Sequence, residues 1–213
     1  MKKTGLLALL ILLSFSLYGT DRWSAIGFQY SHYFDSSGYG DDGDSTNHIR
    51  SKGITLSSYR FKEENNWGLF THASLISPIK DEKQSYESAD TRIITSFFIG
   101  PGFRGPVYRN LFQPFGGGGF HFLQFIYHDT FISEGSDFTY FQFTRNFGLG
   151  GEIGCRLNFT ENFSLAAGTM IAWDFYSKSS FNNDGSKSSL TPAKYNALML
   201  SPFLTLGYST NLK

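Results

Sequence analysis

The chain has 213 residues, enough for one domain of ordinary size or one barrel. Its 18 Lys and Arg balance 18 Asp and Glu, so no basic excess predicts nucleic acid as a partner. Aromatic residues make up 18% of the chain and charged residues 17%, below the usual share of about a quarter. Because the mean hydropathy is slightly negative, we expect the apolar residues to be spread by regular alternation.

The N-terminus has the order of a secretory signal peptide. Two lysines precede an apolar run at residues 6–13, and small residues follow it. A membrane anchor is the alternative, but the run is shorter than the ~20 residues of a spanning helix. We therefore predict a signal peptide at residues 1–19 and an exported domain at residues 20–213. The only cysteine, Cys155, excludes a disulfide framework within the chain.

Beyond the signal, apolar residues recur with a period of two, which is typical of strands. No apolar run there approaches the length of a spanning helix, so a membrane would have to be crossed by a closed barrel. Eight strands are predicted, in chain order at residues 26–34, 52–61, 67–76, 93–103, 112–129, 140–159, 163–173 and 198–212.

The connections between these strands alternate in length. Polar segments at 35–47, 77–90, 129–136 and 176–195 are long, whereas 62–66, 104–110 and 160–162 are short. Outer-membrane barrels alternate extracellular loops and periplasmic turns in this way. The predicted fold is therefore all-β, an eight-stranded antiparallel up-and-down transmembrane β-barrel, with both termini periplasmic.

Aromatic residues are expected to form a girdle at each end of this barrel, which a soluble barrel would not need. The residues predicted for the girdle near the turns are Trp23, Phe61, Trp67, Phe103, Phe159 and Tyr208. Those predicted near the loops are Phe34, Tyr127, Tyr140, Trp173 and Phe175.

The fifth strand contains four consecutive glycines, residues 116–119. A phosphate-binding loop would need a Lys-Ser/Thr pair and a helix after it. In a barrel, Gly116 and Gly118 are instead expected to face inward and make room for Phe98, Phe120 or Phe203.

The sixth strand, 140–159, alternates most clearly. Its odd positions are apolar except Arg145, which we place among headgroups, and its even positions are polar or glycine. Glu152 and Arg156 are thus predicted to face inward, too far apart along one strand to pair directly. Asp174 is a possible cross-strand partner, and we expect a lumenal polar network of these three residues, with a gated path or ligand contact as the alternative.

Two segments resemble a known family. "QPFGGGGF" resembles the "PYxGxGxGY" strand of small outer-membrane β-barrels of the opacity, OmpX and OmpW kinds, and "LGGEIGCRLNFTENFSLAAG" resembles the strand–turn–strand that follows it. The resemblance implies an outer-membrane barrel, with membrane lipids and the assembly machinery as partners. It implies no single activity. Members usually end on an aromatic residue, whereas this chain ends "GYSTNLK". Either Tyr208 takes that role or the assembly machinery of the source reads a looser signal.

No catalytic residue, cofactor or metal site is predicted. Ser31 and His32 would face opposite sides of one strand, and His72, His121 and His128 show no catalytic companions in the sequence. The acidic loop at residues 38–47 resembles a calcium loop but lacks its closing glutamate, which favours a solvated loop.

Three functions remain open. The first is a structural barrel whose four long loops contact a host or cell-surface macromolecule, and 176–195 carries aromatic residues suited to this. The second is a narrow conduit for small hydrophobic molecules, as OmpW-like members suggest. The third is a lipid-modifying enzyme. An eight-stranded interior leaves no room for a porin-type pore.

Overall fold

The computed structural model describes residues 21–35, 47–61, 65–79, 91–109, 111–133, 136–183, 186–191 and 195–211. The predicted signal peptide and the acidic residues Asp41, Asp42 and Asp44 lie outside these ranges. The strands are β1 (Asp21–Asp35), β2 (Asn47–Phe61), β3 (Trp67–Pro78), β4 (Thr91–Arg104), β5 (Phe112–Ser133), β6 (Ser136–Asn158), β7 (Phe163–Asn183), β8 (Ser186–Leu190) and β9 (Ala197–Asn211). Within the described ranges, no helix is long and apolar enough to span a membrane.

Eight of these strands close into a ring. Each strand from β1 to β7 pairs antiparallel with the next, and β9 pairs with both β7 and β1. The short strand β8 pairs with β7 and lies outside the ring. The predicted eight-stranded antiparallel up-and-down barrel is confirmed.

The faces of the wall are apolar outside and mixed inside. On β9, Leu204 and Leu206 are 50% and 55% exposed, whereas Phe203 and Thr205 are 5% and 1% exposed. A soluble barrel has the opposite arrangement, because a continuous apolar outer surface is unfavourable in water. We call the end with the connections at 65–66, 105–111 and 159–162 the turn end, and the opposite end the loop end.

Two predicted loops are largely strand. β5, β6 and β7 have 22, 23 and 21 residues, against 12 to 15 in the other ring strands. The pairing of β5 with β6 continues to Ser133 and Ser136, and that of β7 with β8 to Asn183 and Ser186. The loops predicted at 129–136 and 176–195 were therefore wrong over most of their length. The pairing of β5 with β4 ends at His128, and the pairing of β7 with β9 ends at Asp174. We call the paired residues beyond these two points the sheet extension, namely 129–133, 136–140, 175–183 and 186–190.

The glycine run faces the other way from the prediction. Phe115 and His121 are buried, so the odd positions of β5, including Gly117 and Gly119, point inward. Phe120 is 72% exposed and lies on the outer face with Gly116 and Gly118. The prediction that Gly116, Gly118 and Phe120 face inward was therefore wrong, because the inward positions of β5 are the odd ones.

Inward glycines nevertheless make room for aromatic rings. A Cβ at Gly102 would lie 2.5 Å from the ring of Phe70, and one at Gly168 would lie 2.6 Å from Cζ of Phe203. Both distances are shorter than a carbon–carbon contact allows. The interior therefore accepts bulky side chains because glycines face them across the strands.

Two prolines interrupt the hydrogen-bonded ladders. The pairing of β4 with β5 skips from Ile99–Phe120 to Gly102–Gly117, at Pro101. The pairing of β1 with β9 skips from Gln29–Phe203 to His32–Leu200, at Pro202. Proline has no N–H to donate, so each ladder is broken locally without a change of register.

Candidate functional site in the barrel interior

An aromatic cluster fills the interior toward the turn end. The ring of Trp23 stacks on Tyr59 with centroids 4.2 Å apart, and Phe70 meets Tyr59 edge-on at 4.8 Å. Trp23 and Phe61 are 2% and 3% exposed. Their predicted place in the outer girdle was wrong, because both lie on the inner face of strands whose apolar partners Ile26 and Leu56 point outward.

The other predicted girdle residues divide between the two faces. Tyr127 and Tyr140 have the inward phase of their strands; Tyr127 is partly buried against the core, and Tyr140 donates a hydrogen bond to Gln142. Their placement in the outer girdle was therefore wrong too. The remaining ones are exposed on the outer face, namely Trp67, Phe103, Phe159, Tyr208, Phe34, Trp173 and Phe175.

Glu152 lies at the centre of the first polar cluster. It is 3% exposed, and the hydroxyl of Tyr59, from the facing wall, donates a hydrogen bond to its Oε1. Nδ1 of His72 lies 3.5 Å from Oε2. The same imidazole contacts Thr55 at 2.5 Å and Gln29 at 3.0 Å. A buried carboxylate needs such partners, because desolvation would otherwise destabilise its charged form.

Asp174 lies at the centre of a second polar cluster. Its Oδ1 is 2.8 Å from Nδ1 of His121, and Nε2 of that imidazole is 3.1 Å from the hydroxyl of Ser96. The prediction that His72 and His121 have no companions was wrong, because their partners come from other strands. Asp174 thus pairs with a histidine, and not with Glu152 or Arg156 as its possible cross-strand partners.

The order Asp174–His121–Ser96 has the connectivity of a hydrolytic triad. A nucleophile must also be reached by its substrate. Ser96, His121 and Asp174 are only 3%, 2% and 1% exposed. With this burial, the arrangement suits a structural hydrogen-bond network better than acyl transfer.

Arg156 lies nearer the turn end. Its Nη2 donates to the hydroxyl of Ser209 at 2.5 Å, and its guanidinium lies 4.9 Å from the ring centroid of Trp23. The ion pair between Arg104 and Asp21 lies beside it, in a cleft of about 660 Å³ at the mouth of the barrel. Glu152, Arg156 and Asp174 are thus all inside the barrel, but each has its own partners.

The part of the chain that the structure describes contains no cluster of metal-binding side chains. No group of three or more His, Cys, Asp or Glu side chains there could hold a metal ion. In the barrel interior, the buried carboxylates of Glu152 and Asp174 instead contact hydroxyl and imidazole groups.

Comparisons with known proteins give structural similarity alone. No protein-family model matches the chain, and no curated protein does. Neisserial surface protein A is 15% identical over 91% of this chain and 97% of its own, with a TM-score of 0.49. Ail of Yersinia pestis is 15% identical over 90% of this chain and 99% of its own, with a TM-score of 0.45. A major outer membrane protein from Thermus thermophilus is 11% identical over 87% of this chain and 99% of its own, with a TM-score of 0.50.

Fold and surface together define the class. The ring of eight antiparallel strands has an apolar outer surface and a polar and aromatic interior. In a closed barrel of this kind, the backbone of every strand forms hydrogen bonds with a neighbour on each side, and the apolar side chains of the outer face are suited to lipid. The chain therefore has the fold of small eight-stranded outer-membrane β-barrels.

Proposed function

We infer that this protein is a structural and surface-interaction barrel of the outer membrane of a diderm bacterium. Its interior is closed by side chains, and its contacts with other macromolecules are made at the loop end. The observation that carries this inference is the set of contacts that cross the lumen.

Two contacts join opposite parts of the wall. Tyr59 on β2 donates to Glu152 on β6. Nδ2 of Asn146, also on β6, donates to the hydroxyl of Tyr33 on β1 at 2.7 Å. The groups involved are almost completely buried. Such contacts support a lumen without a continuous water path, which agrees with the small interior of eight-stranded barrels.

The proposed orientation in the membrane is supported by the lengths of the connections. The turn end carries both β1 at its start and β9 at its end, so the two termini of the described barrel lie there. Outer-membrane barrels place short turns in the periplasm. The loop end and the sheet extension then face the outside of the cell.

The sheet extension supports a role in contact. All five residues of β8 are exposed, and Lys187 and Leu190 are among them. An exposed mixture of Ser, Lys and apolar side chains on a paired backbone offers a surface to another macromolecule at low ordering cost. The burial of the Ser96–His121–Asp174 group supports a structural role for these three residues over a hydrolytic one.

The test has two parts, both made on the intact protein. In planar bilayers, we expect no large and stable ion conductance, and such a conductance would contradict the closed interior. For the second part, non-adherent bacteria display either the intact barrel or a variant in which tight turns replace residues 130–139 and 178–192. We expect the intact protein alone to increase attachment to other cells, and equal attachment of the two would contradict a contact role for the extension.

A further inference from the structure

A groove of about 720 Å³ opens on the outer face of the wall, where β9, β1 and β2 adjoin. It lies at the ladder break caused by Pro202, where β1 and β9 skip two residue pairs. The neighbouring inner residues, Gln29 and Phe203, form part of its lining. The groove is therefore a local recess in the apolar outer wall.

The lining of the groove changes from apolar to polar along the barrel axis. Phe28, Ile54 and Leu204 line it and are 72%, 50% and 50% exposed. On β2, Lys52 is the next outward residue after Ile54 toward the loop end, and on β1, Tyr30 follows Phe28 in the same way. Both Lys52 and Tyr30 line the groove. This order matches an amphiphile whose polar head points toward the loop end.

Basic residues continue from the groove toward the loop end. Ile49 packs inward, so the alternate positions His48, Arg50 and Lys52 share the outer face of β2. His32 pairs with Arg50 in the ladder, and its Nδ1 is 3.0 Å from Nε2 of His48. The outer face above the groove is therefore rich in groups that attract an anion.

Lys52 itself has a particular need for an anion. It is exposed, and the ion pairs found among the described residues, Asp21–Arg104, His72–Glu152 and His121–Asp174, do not include it. A lipid-facing ammonium beside apolar surface is unfavourable unless an opposite charge lies near it. A phosphate is a suitable partner, because lysine binds phosphate as a compact point charge.

We propose that this groove binds one anionic lipid of the outer leaflet, whose phosphate gives the headgroup a net negative charge. The phosphate lies against Lys52, and one acyl chain lies along Phe28, Ile54 and Leu204. This site rests on the membrane location and orientation proposed above. It differs from general contact with lipid because it selects the headgroup by charge and the chain by the shape of the recess.

The test measures which lipid the folded protein retains. The full chain is folded in detergent micelles with equal amounts of phosphatidic acid and phosphatidylcholine that have identical acyl chains, and native mass spectrometry counts the retained lipids. We expect one phosphatidic acid per barrel, retained about tenfold over phosphatidylcholine, the ratio that one charge-assisted hydrogen bond supplies.

Two kinds of variant and their matched controls locate the site. Lys52→Gln should abolish the preference for phosphatidic acid, and Lys52→Met is the second charge-removing variant. Leu204→Trp should fill the recess and lower the retention of both lipids. The controls are Lys178→Gln, at an exposed lysine of β7, and Leu206→Trp, at the next outward position of β9 beyond the groove. Both controls should retain lipid as the unsubstituted protein does.

Two results would overturn the proposal. One is equal retention of the two lipids by the folded protein, and the other is an equal loss in the variants and their controls. Insertion is followed separately by the protection of the protein from protease in vesicles. A protein that fails to insert contradicts the membrane location, whereas one that inserts without lipid preference contradicts the groove alone.

Discussion

The wall of the barrel and strand β8 of the sheet extension belong to one continuous sheet, yet their side chains follow different patterns. In β9, outward leucines alternate with buried residues such as Ser201 and Thr205. In β8, every residue from Ser186 to Leu190 is exposed. The comparison shows that backbone pairing makes a strand in both regions, whereas the environment on its two faces decides whether the sequence alternates.

The largest loss of stability is expected from a substitution inside the barrel. Phe70→Ala should reduce the free energy of unfolding by about 3–5 kcal/mol, because it removes a fully buried ring and leaves a cavity. Phe181→Ala, in the extension, should cost less than about 1 kcal/mol. Urea unfolding in lipid vesicles, followed by tryptophan fluorescence, measures both variants. Equal costs would show that the extension is packed as tightly as the interior.

The outer face provides the next test. Ile153→Arg should cost about 2–4 kcal/mol, because Ile153 is 66% exposed on the apolar outer face. Ser188→Arg places the same charge on an exposed position of β8 and should have no measurable cost. The measurement is the folded fraction in vesicles over a urea series. If Arg is tolerated equally at both positions, the apolar surface does not face lipid.

Removing the extension should have a small effect on the barrel. When tight turns replace residues 130–139 and 178–192, the free energy of unfolding should change by less than about 1 kcal/mol, because the ring pairs β7–β9 and β9–β1 remain. A loss of folding would mean that the extension helps to form the ring. This outcome would be seen directly in the circular dichroism of the refolded variant.

The reactivity of a cysteine distinguishes the outer face of the wall from β8 without a change in stability. Cys155 is exposed on the outer face of β6. It should react slowly with a water-soluble maleimide in vesicles and quickly after unfolding, because lipid covers it. The variant Cys155→Ser with Ser188→Cys should react quickly while folded. Fast labelling of folded Cys155 would contradict its lipid-facing position.

The outward faces of β6, β7 and β9 could be predicted because their alternation is strong. The phase of β5 could not, since four glycines carry no polarity and phenylalanine occurs on both faces. Phe115 is 5% exposed and Phe120 is 72% exposed. The interior of a small barrel accepts aromatic rings as readily as polar groups, so an apolar side chain does not by itself indicate the outer face.

Local alternation and connection length were enough to predict the number of ring strands, their antiparallel order and the outward faces of most of them. The partners of the buried carboxylates, in contrast, could be found only in the closed ring. Tyr59 and Glu152 are 93 residues apart in the chain, and His121 and Asp174 are 53 apart. Closure of the ring brings such residues together across the lumen or between strands, and a periodicity read along one strand contains no information about its neighbours.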